Sequence, residues 1–467
     1  MLASWIGPGS ILGNAGKTYE TGMAALMLPI GSILGIILLT RIAGKVRSYE
    51  KYTVPEIIGD RYGPVARNLS VFALVMAYMV IVSYQYNAGG AVLYTILADN
   101  TGTSIISIEL ATIIAAVFII AYTMLAGLLS VAYTDAANSI IMTLVLIISL
   151  PILWIKAGSW SGMETAFAAM NKSQHMQFGG VYSAMDIINF CLPPFLLVIG
   201  DANMYQRIFS AQDGGSAKKA VFFWIIGVVV LESVISMLGL TGAVAASKGI
   251  IPDLVAQAQA GVTDPTASAM LEARQAGSES VIPAIARYAG LPMVLGLLLV
   301  STMMAIIVST ADSFLLIPAT NLTRDVYLRY INSAATDKQV LLISRSLVLV
   351  LGIIAFLLVS QFKTVLNAAF TAYNIYGTSI TPALLAAFLW KRATKEGAIA
   401  SILTGATVTI VWTYFLPSWE GFSTLNPFLQ ELTYPAAGLS VSALVIGSLL
   451  TSAPPPESLE QFFNDGD

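Results

Sequence analysis

The sequence predicts an all-α, polytopic membrane protein, and three observations carry that prediction. Of the 467 residues, 57% are hydrophobic and 10% are charged, against about 25% charged in a soluble globular chain. Apolar runs long enough to cross a bilayer recur along the whole length, so a length-based estimate of domain number does not apply. The positive charges then sort onto one side of the topology those runs imply. The spanning elements are helices, because lipid offers nothing to an unpaired backbone.

Twelve spans are expected: Leu2–Gly16, Gly22–Ile42, Leu69–Leu97, Ile105–Leu125, Leu128–Ile155, Met185–Phe209, Val221–Ala246, Met293–Leu316, Leu341–Val359, Val365–Trp390, Ala398–Leu416 and Pro435–Leu450. With the loop after the second span cytoplasmic, sixteen of the 23 Lys and Arg residues lie on the cytoplasmic side, among them Arg41, Arg47, Lys51, Arg207, Lys218, Arg324 and Arg329. Of the other seven, Lys156, Lys172, Lys248, Arg274 and Arg287 sit in two long outer loops, where charge counts little. The chain is therefore read as a multi-pass protein of the inner or plasma membrane with its C-terminus cytoplasmic. A transmembrane domain covers 1–452, with one half in 1–155, a second in 185–390 and two added helices in 398–450. The tail, 453–467, is acidic and Pro-rich and is expected to be disordered.

Two spans are interrupted. The first reads ASWIGPGSILGNAG, with Gly7, Pro8, Gly9, Gly13 and Gly16 inside one crossing. The sixth reads NFCLPPFLLVIGDANMYQR, with Pro193, Pro194 and Gly200 before Asp201. Proline removes a backbone donor and glycine loosens a helix. The two spans occupy matching positions in two five-span halves, the pattern of a transporter built from inverted repeats. Close helix packing is the other reading of such glycines.

Composition excludes several functions. A net charge of −3 gives no reason to expect nucleic acid as a partner. The single cysteine, Cys191, excludes an internal disulfide and a thiolate metal site, and the single histidine, His175, lies in a polar loop and is expected to be inert. No zincin, Walker or Gly-rich dinucleotide motif is present, and no organic cofactor is expected. Met1 runs directly into an apolar, glycine-broken segment, unlike a cleavable signal peptide.

The polar residues inside spans are the candidates for function, since intramembrane acids need partners. In the eighth span Ser309, Thr310, Asp312 and Ser313 are nearly consecutive. Sodium takes several oxygen ligands, and hydroxyls and backbone carbonyls supply them without large net charge. Ser309 and Thr310 bring hydroxyls, Ile306 can offer a carbonyl one turn earlier, and the broken first span frees carbonyls near Ala3 and Ile6. Ser and Thr can also simply bond the preceding turn. Asp135, the one acid of the fifth span, can meet Asp312 and Ser313 around a second sodium, or cap nearby backbone. Asp201, at the proposed break, can face a solute, pair with Arg207 or cap the helix that follows. Tyr84, Gln85, Tyr86 and Asn87 form a polar–aromatic patch in the third span, as do Tyr373, Asn374 and Tyr376 in the tenth, and Trp5 stands at the first break. Aromatic faces suit an ammonium group, though such residues often only pack. No Lys or Arg is expected at mid-depth, which disfavours a multiply charged anion as solute.

Taken together, SWIGPGSILGNAG, GLLSVAYTDAAN, GDANMYQRIFSA, VSTADSFLLIPATNLTRDVY and PALLAAFLWKRATKEGAIASILTGA resemble the sodium:solute symporter family, closest in motif to its choline and proline branches. The resemblance implies the LeuT-type fold of five plus five inverted-repeat helices with two extra C-terminal helices, about twelve in all. It implies a sodium site at Ala3, Ile6, Ile306, Ser309 and Thr310, and a second at Asp135, Asp312 and Ser313. Trp5 matches an aromatic position of the choline branch. Asp201 stands where sugar-transporting relatives have Asn and the choline branch has Trp, so no substrate carries over. The family has a further helix ahead of the first core span, inside which Met1 stands here.

The expectation is a non-enzymatic, sodium-coupled symporter importing a small polar organic solute by alternating access, with an amine, amino acid or choline-like compound favoured. Trp5, Tyr84, Gln85, Asp201 and Tyr373 are the expected solute contacts, and sodium, the solute and the bilayer the partners. A proton-coupled symporter is the alternative. A remote one is an intramembrane aspartyl protease using Asp135 and Asp201, against which Val198 breaks the required G-x-G-D. A sensor domain would need a larger cytoplasmic module than this tail provides.

Overall fold

The computed structural model describes residues 1–49, 51–99, 104–125, 128–262, 266–419 and 421–463. Residues 464–467 of the tail and Gly127 of the fifth-span motif lie outside them.

Every expected span falls on helix. The first is in three pieces: Leu2–Trp5, a π-helical turn Gly9–Asn14, and Ala15–Thr21. The second is Ile30–Ser48, the third Pro64–Leu97, the fourth Ile108–Leu125 and the fifth Leu128–Ala157. The sixth is Ala184–Gly200 followed by Ala202–Phe209, and the seventh Gly214–Ser247. The eighth is Met293–Asn321 continued by π-helical Leu322–Ile331, and the ninth Asp337–Leu357. The tenth is Val365–Ser379 plus Thr381–Leu389, the eleventh Lys395–Ile410 and the twelfth Thr433–Leu450. By length and apolarity, nine described helices can cross a membrane, or ten counting the bent pair Gly9–Met27 and Ile30–Gly44. The nine leave out three expected spans: the first and tenth are divided into helices shorter than the roughly 20 residues a crossing needs, and the second is counted only within the bent pair.

The spans sort into centre and rim. The third has 67% of its apolar window buried and the ninth 22%. Ile113, Val117 and Phe118 of the fourth span, Ile140 and Leu144 of the fifth and Leu341 and Leu342 of the ninth are exposed, as lipid-facing side chains should be. Backbones approach closely where glycine allows it: Gly239 of the seventh span lies on the backbone of Ala15, and Gly31 of the second on the backbone of Cys191 in the sixth.

Two features lie outside the sequence reading. A short helix, Val54–Tyr62, joins the second and third spans, capped by Thr53, which accepts from the Glu56 amide at 3.0 Å. The tail, expected to be disordered, holds a helix, Glu457–Phe463. Phe462 is buried against Tyr49, with ring centroids 5.1 Å apart, and against Phe388 at 6.0 Å. One well-placed aromatic pair anchors a segment whose composition alone reads as solvated.

His175 is buried against Phe167 in a four-residue turn, and burial, with Lys172 and Arg274 nearby, lowers its pKa to about 4.

Candidate functional site

The first span breaks at Ile6, whose backbone is extended with ψ 97°. The break lies against the eighth span: a Cβ on Gly7 would come within 3.2 Å of the Thr310 side chain. Glycine leaves room for the unwound segment to lie this close to the Thr310 side chain, which a Cβ would press on. Ala3, Ile6, Ile306, Ser309 and Thr310 are all buried together here. In this state both hydroxyls have protein acceptors: Thr310 donates to the Ile306 carbonyl at 2.8 Å and Ser309 donates to Asp135.

Asp135 is the hub. Its carboxylate accepts from Ser309, from Ser4 at 2.9 Å and from the guanidinium of Arg207 at 2.7 Å. The same Arg207 nitrogen donates to Ser4 and, at 3.1 Å, to Ser313. The Arg207 guanidinium therefore stands between Asp135 and Ser313, two of the three residues proposed for a second sodium. The structure brings Asp135 and Ser313 together through Arg207 and places Asp312 elsewhere, accepting from Thr123 of the fourth span. The other Asp312 oxygen has no partner among the described residues. Arg207, expected at the cytoplasmic end of the sixth span, is brought onto Asp135 of the fifth. The helix after the sixth-span break turns Arg207 inward, and its side chain is 17% exposed.

The break of the sixth span is at Asp201, φ −59° and ψ 110°. Its freed backbone groups are satisfied by two tyrosines. Tyr376 of the tenth span donates to the Gly200 carbonyl at 2.7 Å and accepts from the Ala202 amide at 3.2 Å. Tyr78 of the third span donates to the Asp201 carboxylate at 2.5 Å and accepts from the Asn203 amide at 3.2 Å. Asp201 also accepts from the Asn203 amide at 3.2 Å, so it caps the second half-helix, the non-ligand reading raised from the sequence. The first break lies on the eighth span and the sixth-span break on the third, a reciprocal arrangement of the two halves. Asp135 and Asp201 engage different partners and make no catalytic pair.

Two cavities flank this centre. One of about 40 Å³ is lined by Trp5, Gly9, Ser10, Asn14, Phe190, Glu232, Phe370 and Tyr373, with Leu28, Pro29, Ser32, Pro194 and Leu366. Of the expected solute contacts, Trp5 and Tyr373 line it. Tyr84, buried in the third span, is not in the lining. Gln85 is fully buried with both amide atoms unpartnered among the described residues, and neither it nor Asp201 is in the lining. Glu232 of the seventh span was not singled out from the sequence. Its signal was the one used for Asp135: a lone acid inside a long apolar helix. The second cavity, about 850 Å³, reaches Asp135 and Arg207 from the face carrying Arg47, Lys51 and Arg324.

Comparison with known proteins gives a consistent picture. A family model described as the sodium:solute symporter family matches residues 1–405. A high-affinity proline transporter of Bacillus subtilis is 25% identical over 480 residues, covering 99% of this chain and 90% of its own. A sodium/proline symporter of Escherichia coli is 25% identical over 478 residues, covering 99% and 86%. The solved structure of a substrate-bound, outward-open Na+-coupled sialic acid symporter superposes with a TM-score of 0.73 at 16% identity, over 97% of this chain and 89% of that one. A nucleobase-cation-symport-1 family transporter in a closed conformation gives 0.59 at 12% identity, over 98% and 93%.

Proposed function

The chain belongs to the sodium:solute symporter family, and from that premise we propose how its residues divide the work. It is a multi-pass membrane protein and a transporter, with the LeuT-type fold, that couples sodium to a small solute. The coupling sodium binds at Ala3, Ile6, Ile306, Ser309 and Thr310. The observation that carries this is the unwound first span pressed onto Thr310, with Ser309 one residue away. There, carbonyls freed from the helix ladder and two hydroxyls converge with a carboxylate in reach. When sodium enters, Ser309 and Thr310 exchange their present acceptors for the ion.

The second site does not take a second ion in this state, because Arg207 supplies the positive charge beside Asp135. The transporter then couples one sodium per solute. One charge crossing the field gains about 2.3 kcal/mol per 100 mV, and about 1.4 kcal/mol is tenfold in concentration, so one ion concentrates a neutral or zwitterionic solute tens-fold.

The solute is a small amino acid or amine, as the similarity to proline transporters suggests. The halves 1–155 and 185–390 act as the two repeats, and the basic face with the C-terminus is cytoplasmic. The 850 Å³ cavity on that face makes the present conformation inward-facing.

Uptake of labelled L-proline into proteoliposomes, driven by an inward sodium gradient, tests this reading. A pH gradient in place of sodium should not drive it. Ser309→Ala and Thr310→Ala should each raise the half-saturating sodium by about ten- to a hundredfold. Normal sodium dependence in both variants would sink the site.

A further inference from the structure

The tail helix Glu457–Phe463 lands its anchor where two groups of helices meet. Phe462 is buried against Tyr49, the residue that ends the second span, and against Phe388 of the tenth, with ring centroids 5.1 and 6.0 Å away. Those two rings are themselves 5.4 Å apart, so the three close a triangle. The Tyr49 hydroxyl donates to the Phe462 carbonyl at 3.3 Å, and the Lys391 ammonium lies 5.5 Å from the Phe463 ring centroid. On this face the end of the second span is tied to the sixth and seventh. Arg47 donates at 2.6 Å to the Ala211 carbonyl, in the connection between those two, and Gly44 lies on the backbone of Gly214. The end of the tenth span is tied instead to the third and eighth, through the short helix Val54–Tyr62. Arg61 donates to the Lys391 and Ala393 carbonyls at 3.1 and 3.0 Å, and Tyr62 to the Ala383 carbonyl at 3.1 Å. Arg67 of the third span pairs with Asp60 at 3.1 Å, and Thr53 donates at 3.0 Å to Asp325, in the continuation of the eighth. The seam between the two groups therefore crosses the chain between Tyr49 and Thr53. The 850 Å³ cavity opens along the same seam, lined by Arg47, Gln206 and Ala220 from one group and by Thr320 and Arg324 from the other.

We propose that the tail helix is a strap across this seam that holds the cavity open, and so regulates the transport cycle. The inference rests on the symport reading above, with alternating access by rocking of one helix group against the other. Closing the cavity brings Arg47, Gln206 and Ala220 towards Thr320 and Arg324. That movement turns Tyr49 against Phe388 and spoils the seat the two rings share under Phe462. The tail then acts as a tethered ligand of the open state: it seats best there, and by linkage it shifts the equilibrium towards the state that seats it. Its anchor is one phenylalanine and one hydrogen bond to a tyrosine, so it biases the cycle without arresting it. Anything that draws the tail from its seat favours the closed cavity.

The test uses the full chain in nanodiscs with Cys191→Ser, and maleimide labelling at one pH. Thr320→Cys reports the cavity, and Leu366→Cys, at the other end of the tenth span, reports the opposite face. Phe462→Ala should lower the ratio of the Thr320→Cys rate to the Leu366→Cys rate by about tenfold, the worth of one buried phenylalanine. A ratio that stays the same or rises would overturn the proposal. The reciprocal measurement leaves the tail unaltered. A bulky maleimide adduct on Leu366→Cys props the opposite face open and closes the cavity, and it should speed amide hydrogen exchange in residues 457–463 by about tenfold. Exchange that stays as slow as in the unlabelled protein would overturn the strap, so misfolding of Phe462→Ala cannot shelter it. Neither readout uses sodium or a solute. Absence of sodium-driven L-proline uptake by the unaltered protein would sink the symport reading and leave both readouts standing.

Discussion

Arg207 stands six residues after Asp201, where a topology count places the inner end of a span. Its guanidinium lies instead between Ser4, Asp135 and Ser313. A buried charge left alone by removing its partner costs about 3–5 kcal/mol, so Arg207→Gln should destabilise the protein through Asp135. Sodium can replace the lost charge. The expected outcome is a lower Tm for the variant in potassium, largely restored in sodium, with the Hill coefficient for sodium-dependent uptake rising from about one towards two. An unchanged coefficient and no sodium rescue would refute the tethered-cation role. Ser309, Thr310 and Asp135 were legible as candidates because a polar side chain in an apolar helix is informative by itself. Their pairing was not legible, because a residue's position along a helix does not say which neighbour it meets. Glu232 carried the same signal and was overlooked.

At the scale of elements, the two broken spans were visible as glycine and proline clusters, and the structure shows how each break is tolerated. The first opens onto Thr310, and the sixth is stitched by Tyr376 and Tyr78. Tyr376 was read as part of an aromatic patch, yet its hydroxyl serves a backbone carbonyl and an amide at once. Tyr376→Phe keeps the ring and orphans both groups, a loss of about 1–3 kcal/mol for each buried group left unsatisfied. A clear fall in thermal stability, larger than for Tyr373→Phe, is the expected result in a thermal-shift measurement. Equal, small effects would mean that water or another donor serves the break. The docked tail helix makes the complementary point. Two phenylalanines among acids and prolines are a weak signal until Tyr49 and Phe388 are brought beside them.

At the scale of the molecule, one face is open to Asp135 and the other is covered. The cover is the helix Ala267–Glu279, where Arg274 pairs with Glu20 of the first span at 3.5 Å. Glu279 accepts from the Val365 and Leu366 amides, at 2.8 and 2.9 Å, at the start of the tenth span. Burial pushes the Glu279 carboxyl from its ordinary 4.5 up to about 7, those two amides opposing and the Glu20 charge adding to the rise. With the cover open and Glu279 solvated, the group returns towards 4.5. Closing therefore takes up a proton between those values. The closed cover is most favoured below about pH 4.5 and loses that preference as pH rises through about 7. In a Cys191→Ser background, labelling of Leu366→Cys from outside, divided at each pH by the rate of a small free thiol so that the thiol's own titration cancels, should be faster at about pH 8 than at about pH 6. Adding Glu279→Gln should flatten the profile, and a flat profile with Glu279 present would refute the latch.

The sequence by itself determined the class of the molecule, the helical spans, the two interrupted ones and the polar residues that lipid would not tolerate without purpose. Those follow from local composition, since a bilayer penalises each polar group and each unpaired amide where it stands. Only the tertiary structure decided protein partners: Arg207 beside Asp135, Thr123 on Asp312, the Asn203 amide on Asp201, and Glu232 in the cavity beside the first break. Partnership depends on how helices rotate and cross. Packing over the whole bundle sets those angles, and no single stretch of sequence encodes them.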